Sequence, residues 1–130
     1  MRLKKFSLIV LCVWLAFAQG CKRQNEPSLN LTLTHEVSPQ PPRVGPATIV
    51  LRLTDASGTP ITGARFQLEG NMSHPGMAPV FAEAPEIEPG RYRANLELSM
   101  AGDWHVAVRV TLRDGSKFER EFEIKGVVSG

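Results

Sequence analysis

The sequence contains little cysteine and no cluster of basic residues, and each absence excludes a class of function. Only two of the 130 residues are cysteines, Cys12 and Cys21, so a framework of disulfides is excluded. A blue-copper electron carrier needs a thiolate ligand in its folded domain, and no cysteine follows Cys21. Three of the 15 Lys and Arg precede residue 6, which leaves 12 against 13 Asp and Glu, a net charge of −1. We therefore expect no nucleic-acid partner, because nucleic-acid binding needs basic residues clustered on one face.

The beginning of the chain predicts a signal peptide over residues 1–20. Three basic residues precede an apolar run over residues 6–18. That run has the length of a secretory signal and is too short to span a bilayer comfortably as a mature helix. We therefore expect an exported protein in the cell envelope, facing the periplasm or the cell exterior.

Gly20-Cys21 resembles the processing site of a bacterial lipoprotein, in which the cysteine is acylated after cleavage. Ala16-Phe17-Ala18 is a competing site for ordinary signal cleavage. Ordinary cleavage would export one unpaired thiol into an oxidising compartment, whereas acylation removes that thiol. We therefore predict lipidation of Cys21, a membrane partner through this anchor, and a polar tether over residues 21–28.

Beyond the tether, apolar residues recur at every second position, which predicts strands with one buried face. Segments rich in Gly, Pro and Asp separate these rows, and Asp114-Gly115 is a strong hairpin signal. We expect one all-β domain over residues 29–127, an immunoglobulin-like antiparallel β-sandwich of about seven strands. Its predicted core comprises nine residues: Leu51, Leu53, Phe66, Leu68, Tyr92, Leu96, Trp104, Val106 and Val108.

Three methionines remain once Met1 is set aside, and all of them lie next to predicted turns. Met72, His74 and Met77 share one loop with Pro75-Gly76, which allows a bend that folds Met77 back toward the other two. Met100 precedes another turn, and His105 follows it. Thioethers and imidazoles are ligands that suit Cu(I), so these five residues form a candidate copper site. The loop and the turn can meet only if they lie at the same end of the sandwich.

Packing is the competing interpretation of these residues. Methionine fills irregular gaps in cores, and a histidine on a surface loop is usually solvated. Composition and spacing leave the two interpretations open.

Four motifs follow one another between residues 41 and 110. They are a D-x-x-G-x-P-ϕ-x-G-A connection from Asp55 to Ala64, the methionine loop, G-x-Y at Gly90 to Tyr92, and M-x-G-x-W at Met100 to Trp104. This succession resembles the YtkA-like domain family, which is related to the FixH-type proteins. In the loop, where the family often has Met-Pro, this chain has Met-Ser-His-Pro-Gly-Met. The resemblance implies an exported β-sandwich, often attached to a membrane, and a link with copper handling or oxidase assembly.

The sequence lacks the local signatures of catalysis. It has no nucleophile elbow, no phosphate-binding loop and no recognisable pair of catalytic carboxylates, so we do not expect an enzyme. Two functions remain. The first is a lipoprotein that binds or delivers Cu(I), with a copper-transport or oxidase-assembly protein as partner. The second is a metal-free sandwich that binds a protein partner or serves as an assembly scaffold in the cell envelope.

Overall fold

The computed structural model describes residues 30–74 and 76–130, and the described chain forms two antiparallel four-stranded sheets. The predicted signal peptide, Cys21, the tether and Leu29 lie outside the described residues. No helix in the described part of the chain has the length and hydropathy needed to cross a membrane. The eight strands are β1 (Thr32–Ser38), β2 (Gly45–Thr54), β3 (Arg65–Met72), β4 (Val80–Glu83), β5 (Glu86–Glu88), β6 (Arg91–Leu98), β7 (Gly102–Thr111) and β8 (Lys117–Val127).

Sheet 1 has the strand order β1-β2-β6-β5, and sheet 2 has the order β4-β3-β7-β8. This arrangement confirms the predicted all-β, immunoglobulin-like antiparallel sandwich. The strand count is eight where the alternation predicted about seven. The additional strand is β5, whose three residues are all exposed and therefore carry no alternation that could reveal it. It pairs with β6 across a register shift.

The core lies between the sheets, and the 18 buried hydrophobic residues of the described chain include all nine that were predicted. Strand β7 is the clearest case, because its inward row is buried and its outward row is more accessible. All nine predicted core residues are at most 1% exposed. The nine residues lie on β2, β3, β6 and β7. The alternation identified the buried face of each of these four strands correctly, because successive side chains on a strand point to opposite faces and only one face meets the core.

Tyr92 fixes the long connection between the two sheets. Its ring is fully buried on β6, 4.2 Å from the ring of Phe66 on β3 (centroid to centroid). Its hydroxyl donates a hydrogen bond to the carbonyl of Ile61 (2.8 Å) and accepts one from the amide of Ala64 (3.1 Å). Desolvation by burial raises the pKa of this phenol above its ordinary value. These two hydrogen bonds hold the connection from β2 to β3 against β6 of sheet 1.

The strand register defines the two ends of the sandwich. Strand β1 begins at Thr32, opposite Thr54, so the described chain enters at one end. At the other end Gly45 lies opposite Leu98. We call this second end the Met end: it comprises Met72, the β3–β4 loop after it and the turn over residues 99–101. Strand β2 runs for ten residues between the two ends, a length of about 30 Å at roughly 3.3 Å per residue.

Candidate functional site

Met72 is the last residue of β3 and lies on the core side of sheet 2. Its cross-strand partner is Trp104, whose side chain is 1% exposed. Met72 itself is half-buried and packs against the edge of the core. A Cβ atom at Gly102 would lie 3.0 Å from the Met72 methyl carbon, and the φ of +127° at Gly102 is one that other residues rarely adopt. The glycine at the start of β7 therefore leaves room for the Met72 side chain.

Met100 lies in the turn between β6 and β7, and Trp104 connects it to Met72. The indole N–H of Trp104 donates a hydrogen bond to the Met100 carbonyl (3.0 Å), which fixes the backbone of the turn. The Met100 side chain is 45% exposed. The structure therefore places the methionine loop and the 99–101 turn at the same end of the sandwich, as a shared site requires.

His74 and Met77 belong to the β3–β4 loop, and both have exposed side chains. Met77 is 36% exposed. Because the loop begins directly after Met72, it belongs to the Met end. Four of the five predicted ligands, Met72, His74, Met77 and Met100, therefore belong to the Met end.

His105 is separated from Met72 by the backbone of the sheet. It is the outward neighbour of Trp104 on β7, and successive side chains on a strand point to opposite faces. Its Nε2 lies 3.2 Å from the hydroxyl of Ser73, and its Nδ1 lies 3.4 Å from a carboxylate oxygen of Glu123 on β8. The structure thus places His105 with an outer-face cluster, and it does not bring this histidine together with Met72.

The third histidine, His35, lies in the middle of β1, away from the Met end. Its ring stacks on Phe122 of sheet 2, with centroids 3.9 Å apart and the planes inclined by 18°. Packing removes water from the imidazole, and this desolvation lowers the pKa of His35. Among the described residues no three His, Cys, Asp or Glu side chains form a group that could hold a metal ion.

Sequence reasoning overlooked two residues near this end, Ser73 and Glu123, which contact His105. Gly102 carried a signal, since a glycine between two predicted strands indicates positive φ, and the structure gives it a φ of +127°. Glu123 carried none, because its position opposite His105 depends on the β7–β8 register.

One comparison with known proteins agrees with the succession of motifs in the sequence. A model of the YtkA-like family matches residues 28–109. No curated protein matches the chain significantly. Among solved structures, murine CRIg is similar with a TM-score of 0.42 and 14% identity, covering 75% of this chain and 98% of that one.

Proposed function

The chain belongs to the YtkA-like family, and we propose that it is an exported lipoprotein that binds Cu(I) at the Met end. The observation that supports this proposal is that Met72, after which the methionine loop begins, and Met100 in the 99–101 turn both adjoin Trp104. The proposed ligands are the thioethers of Met72, Met77 and Met100 and the imidazole of His74.

The chemistry of these groups fits Cu(I) better than other common cations. Thioethers and neutral imidazole are uncharged ligands, and thioether sulfur selects soft ions such as Cu(I). Mg²⁺ and Ca²⁺ demand oxygen ligands, and this set contains none. A site built from thioethers also needs no cysteine thiolate, which an oxidising compartment would oxidise.

Packing alone does not account for these methionines. A methionine that serves only as filler is buried, because its value to the fold comes from removing apolar surface from water. Met72 meets that expectation in part, whereas Met77 and Met100 are 36% and 45% exposed. Two thioethers therefore remain accessible at the end where the third lies at the edge of the core.

The proposed anchor suits this geometry. The first strand begins at Thr32, which is about 30 Å from the Met end along β2. A lipid on Cys21 would attach the chain to the membrane on the Thr32 side. The copper site would then face away from the membrane, toward a soluble domain of a copper-transport or oxidase-assembly protein.

A metal-free protein-binding module is the second candidate function. It is favoured by exposed apolar side chains next to the Met end. Val44 and Val128 are 37% and 43% exposed, and they adjoin Gly45 and Val127, which lie at this end of β2 and β8. Such a surface could dock a partner without any metal.

Replacement of methionine by leucine separates the two functions, because leucine keeps the bulk and removes the sulfur. We expect Met72→Leu with Met77→Leu to leave the free energy of unfolding within about 1.5 kcal/mol of the wild-type value. We expect the same double variant to lose Cu(I) in competition with a chelator. His35→Gln is the matched control, since it removes a histidine outside the Met end. If the double variant binds Cu(I) as tightly as the wild type, the methionines are packing residues and the metal-free module is favoured.

A further inference from the structure

The outer face of sheet 2 carries a connected row of polar side chains beside the methionine loop. The hydroxyl of Ser73 lies 3.2 Å from His105 Nε2, and His105 Nδ1 lies 3.4 Å from Glu123 Oε1. The other carboxylate oxygen of Glu123 lies 3.2 Å from the ammonium of Lys125. The row therefore extends from β8 across β7 to the first residue of the β3–β4 loop.

We infer that His105 and Glu123 are positioning residues for the methionine loop and act on it through Ser73. This inference deepens the proposed Cu(I) site and depends on it. It assigns His105 a different role from that of a ligand, because its imidazole and the Met72 thioether project to opposite faces of the sheet.

The chemistry of a neutral histidine explains how the row works. One ring nitrogen carries the proton and donates, and the other accepts. Glu123 is an acceptor beside Nδ1, so it favours the tautomer in which Nδ1 carries the proton. Nε2 then accepts the hydrogen bond from the Ser73 hydroxyl.

Ser73 lies between two of the proposed ligands in the chain, Met72 and His74. Fixing its side chain to β7 restricts the backbone at the point where the loop leaves the strand. A loop that is already ordered loses less conformational freedom when it closes around an ion, and this raises affinity. The row thus acts on the loop as outer-shell partners act on metal ligands.

Ser73, His105 and Glu123 also stand in the order of a hydrolase triad, a nucleophile, a base and an acid. The side chains of His105 and Glu123 are 54% and 46% exposed. Acyl transfer needs a site that excludes water and supplies donors to the developing oxyanion. This degree of exposure favours positioning over catalysis.

The test uses the full-length protein in detergent, with Cu(I) affinity measured by chelator competition. We expect Ser73→Ala and Glu123→Ala each to weaken Cu(I) binding by about tenfold, the lower limit for loss of an outer-shell partner. Ser73→Thr keeps the hydroxyl and should restore the affinity. Glu121→Ala is the matched control, because Glu121 is exposed on the outer face of β8, opposite Ala107.

Two further measurements do not depend on copper. In ¹⁵N spectra of the histidine rings, His105 should carry its proton on Nδ1 in the wild type and lose this preference in Glu123→Ala. Amide hydrogen exchange over residues 73–79 should be faster in Ser73→Ala than in the wild type.

Each outcome decides a separate point. If the wild type binds Cu(I) and Ser73→Ala binds it equally well, the positioning role is overturned and the copper site stands. If the wild type does not bind Cu(I), the proposed function fails, and unchanged amide exchange in Ser73→Ala would overturn the positioning role as well. Labelling of Ser73 by a fluorophosphonate would assign the row to acyl transfer and overturn the inference.

Discussion

Trp104 should contribute more to the stability of this domain than any other single side chain, and Trp104→Ala measures that contribution. It is the largest of the fully buried side chains and is 1% exposed. A buried aromatic ring removes about 200 Å² from water, which is worth about 5 kcal/mol at roughly 25 cal/mol per Å². Alanine retains a small part of that contact. Trp104→Ala should therefore lower the free energy of unfolding by about 3–5 kcal/mol.

The indole N–H adds a second, smaller contribution that a milder variant isolates. Trp104→Phe keeps an aromatic ring in the core and removes the hydrogen bond to the Met100 carbonyl. Because Met100 lies in an exposed turn, water can replace the lost donor, so the hydrogen bond accounts for only about 1 kcal/mol. Trp104→Phe should therefore destabilise the domain much less than Trp104→Ala.

The assay is urea unfolding of residues 22–130, followed by circular dichroism so that variants without tryptophan can be compared with the wild type. A change in the midpoint at constant slope reports stability. A loss of 3 kcal/mol would also lower Tm by more than about 12 °C for a domain of this size. If Trp104→Ala costs less than about 1 kcal/mol, the assignment of Trp104 to the core is wrong.

Three further predictions concern other parts of the chain. Mass spectrometry of membrane-extracted protein should show a diacyl or triacyl cysteine at Cys21 as the amino terminus, and an unmodified terminus at Gln19 would contradict the lipoprotein prediction. Tyr92→Phe should lower the free energy of unfolding by about 1–3 kcal/mol, because it leaves the Ile61 carbonyl without its donor. An unchanged urea midpoint would show that this hydrogen bond is dispensable. The pKa of His35 is lowered in the folded protein. Below the ordinary pKa of about 6.5 the unfolded chain therefore binds more protons than the folded chain. The stability due to neutral His35 is lost as the pH falls through the folded pKa. His35→Phe should keep the stacking on Phe122 and reduce the loss of stability as the pH falls below about 6.5, and an equally steep loss would assign it to other groups.

The fold was predictable to the extent that alternation encodes it. Strands β2, β3, β6 and β7 each bury one row of side chains, so their buried faces follow from the sequence alone. The exposed strand β5 has no such row, so its local sequence does not indicate a strand. Its pairing depends on β6, which a local pattern does not contain.

The candidate site was predictable in part, for a related reason. The positions of Met72 and Met100 next to turns indicated that they could meet, and the β3–β7 register brings their segments together. His105 was grouped with them because it follows the same turn closely in the sequence. Its parity on β7 already placed it opposite to Trp104, but the face on which Met72 lies became clear only when β3 was paired with β7.

The composition of the inner row of β3 bears on why a copper site would form at this end. The row begins with Phe66 and Leu68, which fill the core, and continues with Gly70 and Met72. A Cβ atom at Gly70 would lie 3.0 Å from Val80, 3.1 Å from Leu96 and 3.5 Å from Trp104, so neighbouring side chains occupy the space that a larger residue would need. The core is therefore fully packed at Gly70, two residues before β3 ends at Met72. Met72 follows Gly70 on the same face of β3 and is half-buried, with Gly102 beside its methyl carbon. In this position the side chain can pack against the core, and the loop that follows can still reach its sulfur. A residue in this position can contribute to packing and bind an ion, so the leucine variants must be judged by stability and Cu(I) affinity together.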